Sequence, residues 1–164
     1  MEQKWGNYWQ QPDGVFYDTA TFAPSNAPLV PGQMFFVLTP DASTTTNTLP
    51  LMGEVVTVVI QKIDIVPGLN GISYPFSSSV ELQDTTFLAD GGTSAFFPGD
   101  ADQIWVLPAS GSWKNYFLNA DGSWYDSDTF SPVTDTALDL GQGFWYEAKG
   151  AFTWSETNKY LNNL

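Results

Sequence analysis

Apolar residues in this chain come in short runs that Pro and Gly interrupt before a helical period can develop. Eleven Pro and fourteen Gly are spread along 164 residues. The stretches between them are rich in Val, Ile, Thr, Phe, Tyr and Trp, which suit a pleated, half-buried surface. The pattern predicts strands over 15–19, 34–38, 54–65, 71–74, 103–107, 114–118, 123–126, 143–148 and 151–155. Short strands joined by turn residues make an all-β protein, an antiparallel β-sandwich or a barrel. Asp13-Gly14 and Asp121-Gly122 sit between aromatic runs and read as hairpin tips, because such a pair accepts the positive φ of a tight turn. Residues 40–47, with Asp, Ser and Thr, read as a polar loop and as the segment most open to motion. The runs Met34-Phe35-Phe36-Val37-Leu38, Ile104-Trp105-Val106-Leu107 and Phe144-Trp145-Tyr146 do not alternate. Each is expected to be covered on both faces or to lie at a protein contact.

The chain also resembles itself. Residues 5–24, WGNYWQQPDGVFYDTATFAP, align without gaps on residues 113–132, WKNYFLNADGSWYDSDTFSP, with ten of twenty columns identical. With one added residue the match runs on, Leu29, Gly32, Gln33, Phe35 and Phe36 falling on Leu138, Gly141, Gln142, Phe144 and Trp145. Shared Trp, Tyr, Phe and Gly at fixed spacing mark a repeated fold unit. The pattern supplies a first strand, an Asp-Gly turn, a return strand and an exit at Thr-Phe-x-Pro. A Gly-Gln entry to the next strand follows, where Gln can bond exposed main-chain groups.

The second copy is preceded by about fifty residues that the first copy lacks, 63–112. Residues 1–60 are therefore read as the back half of a first repeat and 61–164 as a complete second repeat. The whole is a β-sandwich of about one and a half copies, expected to form one compact domain. A back half alone leaves strand edges and apolar faces uncovered. The two back halves can share one front half, a longer parent chain can hold the missing one, or another chain can supply it. The last arrangement is a head-to-tail contact that closes into a ring or runs on as a fibre.

Gly68-Leu69-Asn70-Gly71-Ile72-Ser73-Tyr74-Pro75-Phe76, Asp102-Gln103-Ile104-Trp105-Val106 and Gly141-Gln142-Gly143-Phe144-Trp145-Tyr146 carry a resemblance. They are similar to the G-W-N-L-I-x-x-P-(Y/F), I-(W/Y)-V and P-G-Q-G-F-(F/W)-V signposts of β modules in large secreted and surface proteins of bacteria such as Bacteroidetes and Verrucomicrobia. The likeness covers 63–154 and the repeated half at 5–37; Leu69 stands where the pattern has Trp, and Met34 where it has Gly. It implies an extracellular or cell-surface, non-enzymatic β module, and carries over no active-site residue.

Composition narrows the chemistry. Thirteen Asp and five Glu face five Lys, with no Arg, His or Cys, and the formal charge is −13. Ser-His-Asp and Cys-His catalysis, His- or Cys-bound zinc and disulfides cannot be built from these side chains. The charge repels phosphate backbones and anionic membrane surfaces, which argues against nucleic-acid partners, and no apolar run is long enough to insert in a membrane. Residues 1–5, Met-Glu-Gln-Lys-Trp, do not form the basic and apolar start of a secretory signal. No nucleophile elbow or Ser-x-x-Lys motif is present, and paired carboxylates alone do not specify a glycosidase, so no enzyme is expected.

Self-association into a fibre or oligomer, or attachment within a parent surface protein, is the leading expectation. Its interface would comprise Phe35, Phe36, Val37, Val55, Val56, Val58 and Ile60. The rival is glycan recognition, with Trp113, Tyr116, Trp124 and Tyr125 as stacking rings beside Asn115 and Asp126, weighed against the same rings filling the core. A passive spacer with no ligand is the third reading. No cofactor is expected; calcium is the ion that Asn119, Asp121, Asp126 and Asp128 would suit. Their spacing matches no calcium loop, and a solvated Asp-rich turn also accounts for them.

Overall fold

A computed structural model describes residues 5–38, 57–76, 78–108 and 111–158. The expected loop 40–47 and the interface residues Val55 and Val56 lie outside the described residues. The chain is all-β, an antiparallel sandwich. Its strands are β1 (Tyr8–Gln10), β2 (Phe16–Asp18), β3 (Ile60–Ile65), β4 (Gly68–Ser73), β5 (Val80–Glu81) and β6 (Gln103–Val106), followed by β7 (Lys114–Leu118), β8 (Trp124–Asp126), β9 (Ala137–Leu138), β10 (Gly143–Ala148) and β11 (Phe152–Thr157). Single 3-10 turns occupy Leu82–Asp84 and Pro98–Asp100. Among the described residues no helix is long and apolar enough to cross a membrane.

Two compact units make up the chain, Met1–Val30 and Pro31–Leu164. The first is a hairpin in which β1 and β2 form a two-stranded sheet of their own. The second is the sandwich proper. One layer is a five-stranded sheet in the order β4-β10-β6-β7-β8, and the pairs β11-β3 and β5-β9 make the other.

Side chains alternate across the large sheet as the pleat requires. Phe144, Tyr146 and Ala148 of β10, Ile104 and Val106 of β6, Ile72 of β4, Tyr116 and Leu118 of β7 and Trp124 of β8 point inward and are buried. They meet Ile65, Val80, Leu138 and Trp154 from the smaller sheets. Phe87 sits at the centre, stacked on Tyr146 with centroids 4.5 Å apart and on Trp154 at 4.3 Å. Offset and edge-on aromatic pairs add attraction beyond the area they remove from water. The fully buried Asp102 pins three segments to this core. Its Oδ2 accepts from the Tyr146 hydroxyl at 2.8 Å and the Thr93 amide at 3.0 Å, and its Oδ1 from the Lys149 amide at 2.7 Å.

Asn70 locks the β3–β4 turn. Its Oδ1 accepts from the Val66 amide, and its Nδ2 donates to the carbonyls of Val66 and Gly68. Gly68 supplies the turn's positive φ of 92°.

The run 34–38 does not form the strand expected of it. Gln33 makes one antiparallel bridge to Ile72, and the Ser73 amide donates to the Gly32 carbonyl at 3.0 Å. Met34 is buried, whereas Phe35, Phe36, Val37 and Leu38 are exposed. Continued in the same register the run would face Gly71, Asn70, Leu69 and Gly68, where two glycines offer no side chain to support a longer ladder.

Candidate functional site

The repeated sequence folds twice into the same hairpin. The Gly14 amide bonds the Gln11 carbonyl as Gly122 bonds Asn119, with φ of 83° and 87° at the two glycines. Asp13 Oδ1 accepts from the Val15 amide as Asp121 Oδ1 does from Ser123, each at 2.9 Å. Asp18 Oδ1 takes the amides of Ala20 and Thr21 and the Thr21 hydroxyl; Asp126 Oδ1 takes those of Asp128 and Thr129 and the Thr129 hydroxyl. These bonds hold both carboxyls below the ordinary 3.8, led by the Thr21 and Thr129 amides respectively. Phe22 and Phe130 both adopt the left-handed region, at φ 57° and 54°. A bridge to Pro closes each exit, Tyr17 to Pro24 and Tyr125 to Pro132.

The surroundings of the two hairpins differ. In the second, β7 pairs with β6, and Tyr116, Leu118 and Trp124 turn into the core. The Gln83 side chain clasps β8 from its far side, bonding the Trp124 amide and carbonyl and the Val133 carbonyl. In the first, the matching positions are Tyr8, Gln10 and Phe16. All three are exposed, Tyr8 at 43% and Phe16 at 46%. Bonds to the carbonyls of Asn7 and from the amide of Gln11 face β2, so by alternation the amides of Tyr8 and Gln10 face the outer edge. Tyr116 and Leu118 present the same edge to β6.

A second surface lies on the solvent side of the five-stranded sheet. Across the strands runs a row Gly71–Trp145–Trp105–Asn115, set by the registers of β4, β10, β6 and β7. The next row is Leu69–Glu147–Gln103–Phe117. Trp105 and Trp145 are half-buried direct partners, and Trp113 is exposed just before β7. Phe36 packs near Trp145 with centroids 6.0 Å apart at 32°. An open cleft of about 800 Å³ is lined by these four rings with Gly68, Leu69 and Glu147. Glu147 Oε1 accepts from Lys149 Nζ at 3.2 Å.

Sequence-predicted residues distribute unevenly over these surfaces. Phe35, Phe36, Val37, Val58 and Ile60 are exposed, as the interface reading requires. The stacking platform of Trp113, Tyr116, Trp124 and Tyr125 does not assemble. Tyr116 and Trp124 are inside the core because the β7–β8 register turns them inward, and Tyr125 packs on Phe117 while its hydroxyl donates to Asp121 Oδ2. Asp126 is committed to its own turn. Trp113 and Asn115 adjoin the aromatic cleft instead, where the residues sequence reasoning missed are Trp105, Trp145, Gln103 and Glu147. The unbroken apolar runs through Trp105 and Trp145 were the signal for them.

The oxygens considered for calcium do not converge either. Asn119 Oδ1 takes the Ala120 amide, Asp121 takes Ser123 and Tyr125, and Asp126 takes Asp128 and Thr129. Among the described residues no three carboxylates gather to hold a metal. Comparison of the chain with protein-family models, with curated proteins and with solved structures finds no match in any of the three.

Proposed function

We propose that the chain is a non-catalytic structural or adhesive β module of the cell exterior that associates with further copies of itself. The observation that carries this reading is the first hairpin. Its main-chain hydrogen bonds and Asp-centred turns repeat those of the second, yet it exposes the face and the strand edge that the second buries against β6 and the core. An edge whose amides point outward, unpaired among the described residues, with apolar side chains beside it, is a template for another strand. Exposed apolar segments in a second copy supply the complement, at Val58 and Val59 just before β3, at Ile60 where it begins, and at Phe35, Phe36 and Val37. Edge and complement lie on different parts of one chain, so the contact is head-to-tail and extends into a fibre unless its rotation closes a ring. The net charge of −13 keeps such an edge from indiscriminate clumping. The resemblance to modules of bacterial surface proteins supports the location outside the cell.

Light scattering from micromolar to millimolar protein tests the proposal. Mass should rise with concentration, and it should stay at the monomer value in Tyr8→Pro, which removes an outward amide, and in Ile60→Lys. A monomer over the whole range overturns it.

A further inference from the structure

We propose that the aromatic cleft on the solvent face of the large sheet is a binding site for a neutral glycan. Burial of sheet faces normally hides large rings, yet here Trp105 and Trp145 stand side by side on adjacent strands facing outward, with Trp113 and Phe36 at the margins. A pyranose is amphiphilic, with C–H groups on its faces and hydroxyls around its rim. The cleft matches both parts, because Glu147 lines it as an acceptor and its cross-strand partner Gln103, next to the lining, carries an amide that can both accept and donate. Its volume of about 800 Å³ falls in the range of small-molecule sites, roughly 300–1,000 Å³.

The same dimensions argue against a protein as occupant. A stable protein interface engages roughly 20–30 residues a side, whereas seven residues line this cleft. Charge selects among sugars. Glu147 is paired with Lys149 and adds no net charge, but the chain's −13 opposes uronate, sulfate and phosphate groups, so a neutral chain is favoured over an acidic one. The site shares Phe36 with the apolar segment proposed for association and is otherwise separate from the edge and face used there. It also differs from the β7–β8 hairpin first considered for sugars, where the rings are spent on the core.

Native affinity electrophoresis through gels containing mixed-linkage β-glucan, xylan, galactomannan or polygalacturonate tests this directly. At least one neutral polysaccharide should retard the protein, and polygalacturonate should not. Trp105→Ala and Trp145→Ala should each weaken binding by about tenfold or more, the effect expected of a central aromatic contact. Both side chains lie outside the buried core, so each variant should keep a cooperative thermal transition while losing the modest stabilisation of one cross-strand aromatic pair. Should either variant fail to fold, neutral oligosaccharides should still protect the tryptophans of the unaltered protein from acrylamide quenching. Absence of retardation by every neutral polysaccharide, or retardation unchanged in both variants, overturns the proposal. So does conversion of a wild-type oligomer to monomer by these two variants, which would make the cleft a contact between copies. Tyr8→Pro separates the two readings, since it should abolish association and leave glycan retardation intact.

Discussion

Replacing Asp102 by Ala removes an acceptor that three donors share inside the sandwich, the Tyr146 hydroxyl and the amides of Thr93 and Lys149. Asp102 is fully buried, so water does not take its place without opening the fold. A hydrogen bond to a charged acceptor contributes about 1.5–3 kcal/mol, and a buried donor left alone costs about 1–3 kcal/mol. The three bonds belong to one network and do not add, so the expected loss is about 3–5 kcal/mol, most of it from neutral donors left buried without an acceptor. Tyr146→Phe deletes only one of the donors and should cost about 1–2 kcal/mol. Urea unfolding followed by tryptophan fluorescence gives both values from the midpoints at constant slope. The double variant should fall short of the summed single losses by about 1 kcal/mol or more, because the Tyr146–Asp102 bond is counted twice. A loss below about 1 kcal/mol for Asp102→Ala, the scale of an ordinary surface change, would refute the reasoning.

The Tyr74 hydroxyl is buried with no hydrogen-bond partner among the described residues, so Tyr74→Phe should leave stability unchanged or raise it by up to about 1 kcal/mol in the same urea assay. Burial, reinforced by Glu156 at Tyr74 and by Asp102 at Tyr146, pushes both hydroxyls well above the usual 10.0. Their contribution to stability is therefore complete below pH 10 and is lost as pH rises from there towards the folded values. Tyrosinate absorbance should show these two rings ionising only together with unfolding. Asp121 and Asp126 are held below 3.8, led by the Ser123 and Thr129 amides, so what they contribute is present above that pH and lost as it falls through the lower folded values. Carboxyl titration by NMR should place both midpoints under 3.8, and a midpoint at or above it counts against the turn geometry.

Strand positions were legible wherever apolar periodicity and turn chemistry agreed. Residues 103–107, 114–118, 123–126 and 143–148 were expected as strands, and β6, β7, β8 and β10 occupy nearly those spans. Asp-Gly pairs announced both hairpin tips because the Gly alone can hold the positive φ while the Asp side chain bonds two residues on. The run 34–38 misled, since its composition states that it is apolar but not what the strand beside it offers for pairing, here two glycines among four residues. Short β5 and β9 escaped notice because two residues carry no period. Within the candidate sites, the sequence revealed that aromatic residues were repeated, but not which faced water. That depends on register, and a shift of one residue exchanges the faces. Tyr116 and Trp124 fell inside by that parity, and Trp105 and Trp145 fell outside.

The same parity explains why the two copies have diverged. In the second hairpin the inward positions must fit a packed core, and they are Tyr116, Leu118 and Trp124. In the first, the matching positions are Tyr8, Gln10 and Phe16, where Gln10 replaces an aliphatic and its Nε2 donates to the Gly14 carbonyl at 3.1 Å. One polar side chain amid two rings lowers the cost of leaving that face wet, while enough apolar area remains to reward covering it. A face made wholly of Tyr, Leu and Trp would drive indiscriminate aggregation, and one made wholly of polar groups would drive none. The intermediate composition suits contacts that form reversibly with concentration, whereas the turn-forming Asp, Thr, Phe and Pro, which set the hairpin's shape and not its partners, are the same in both copies.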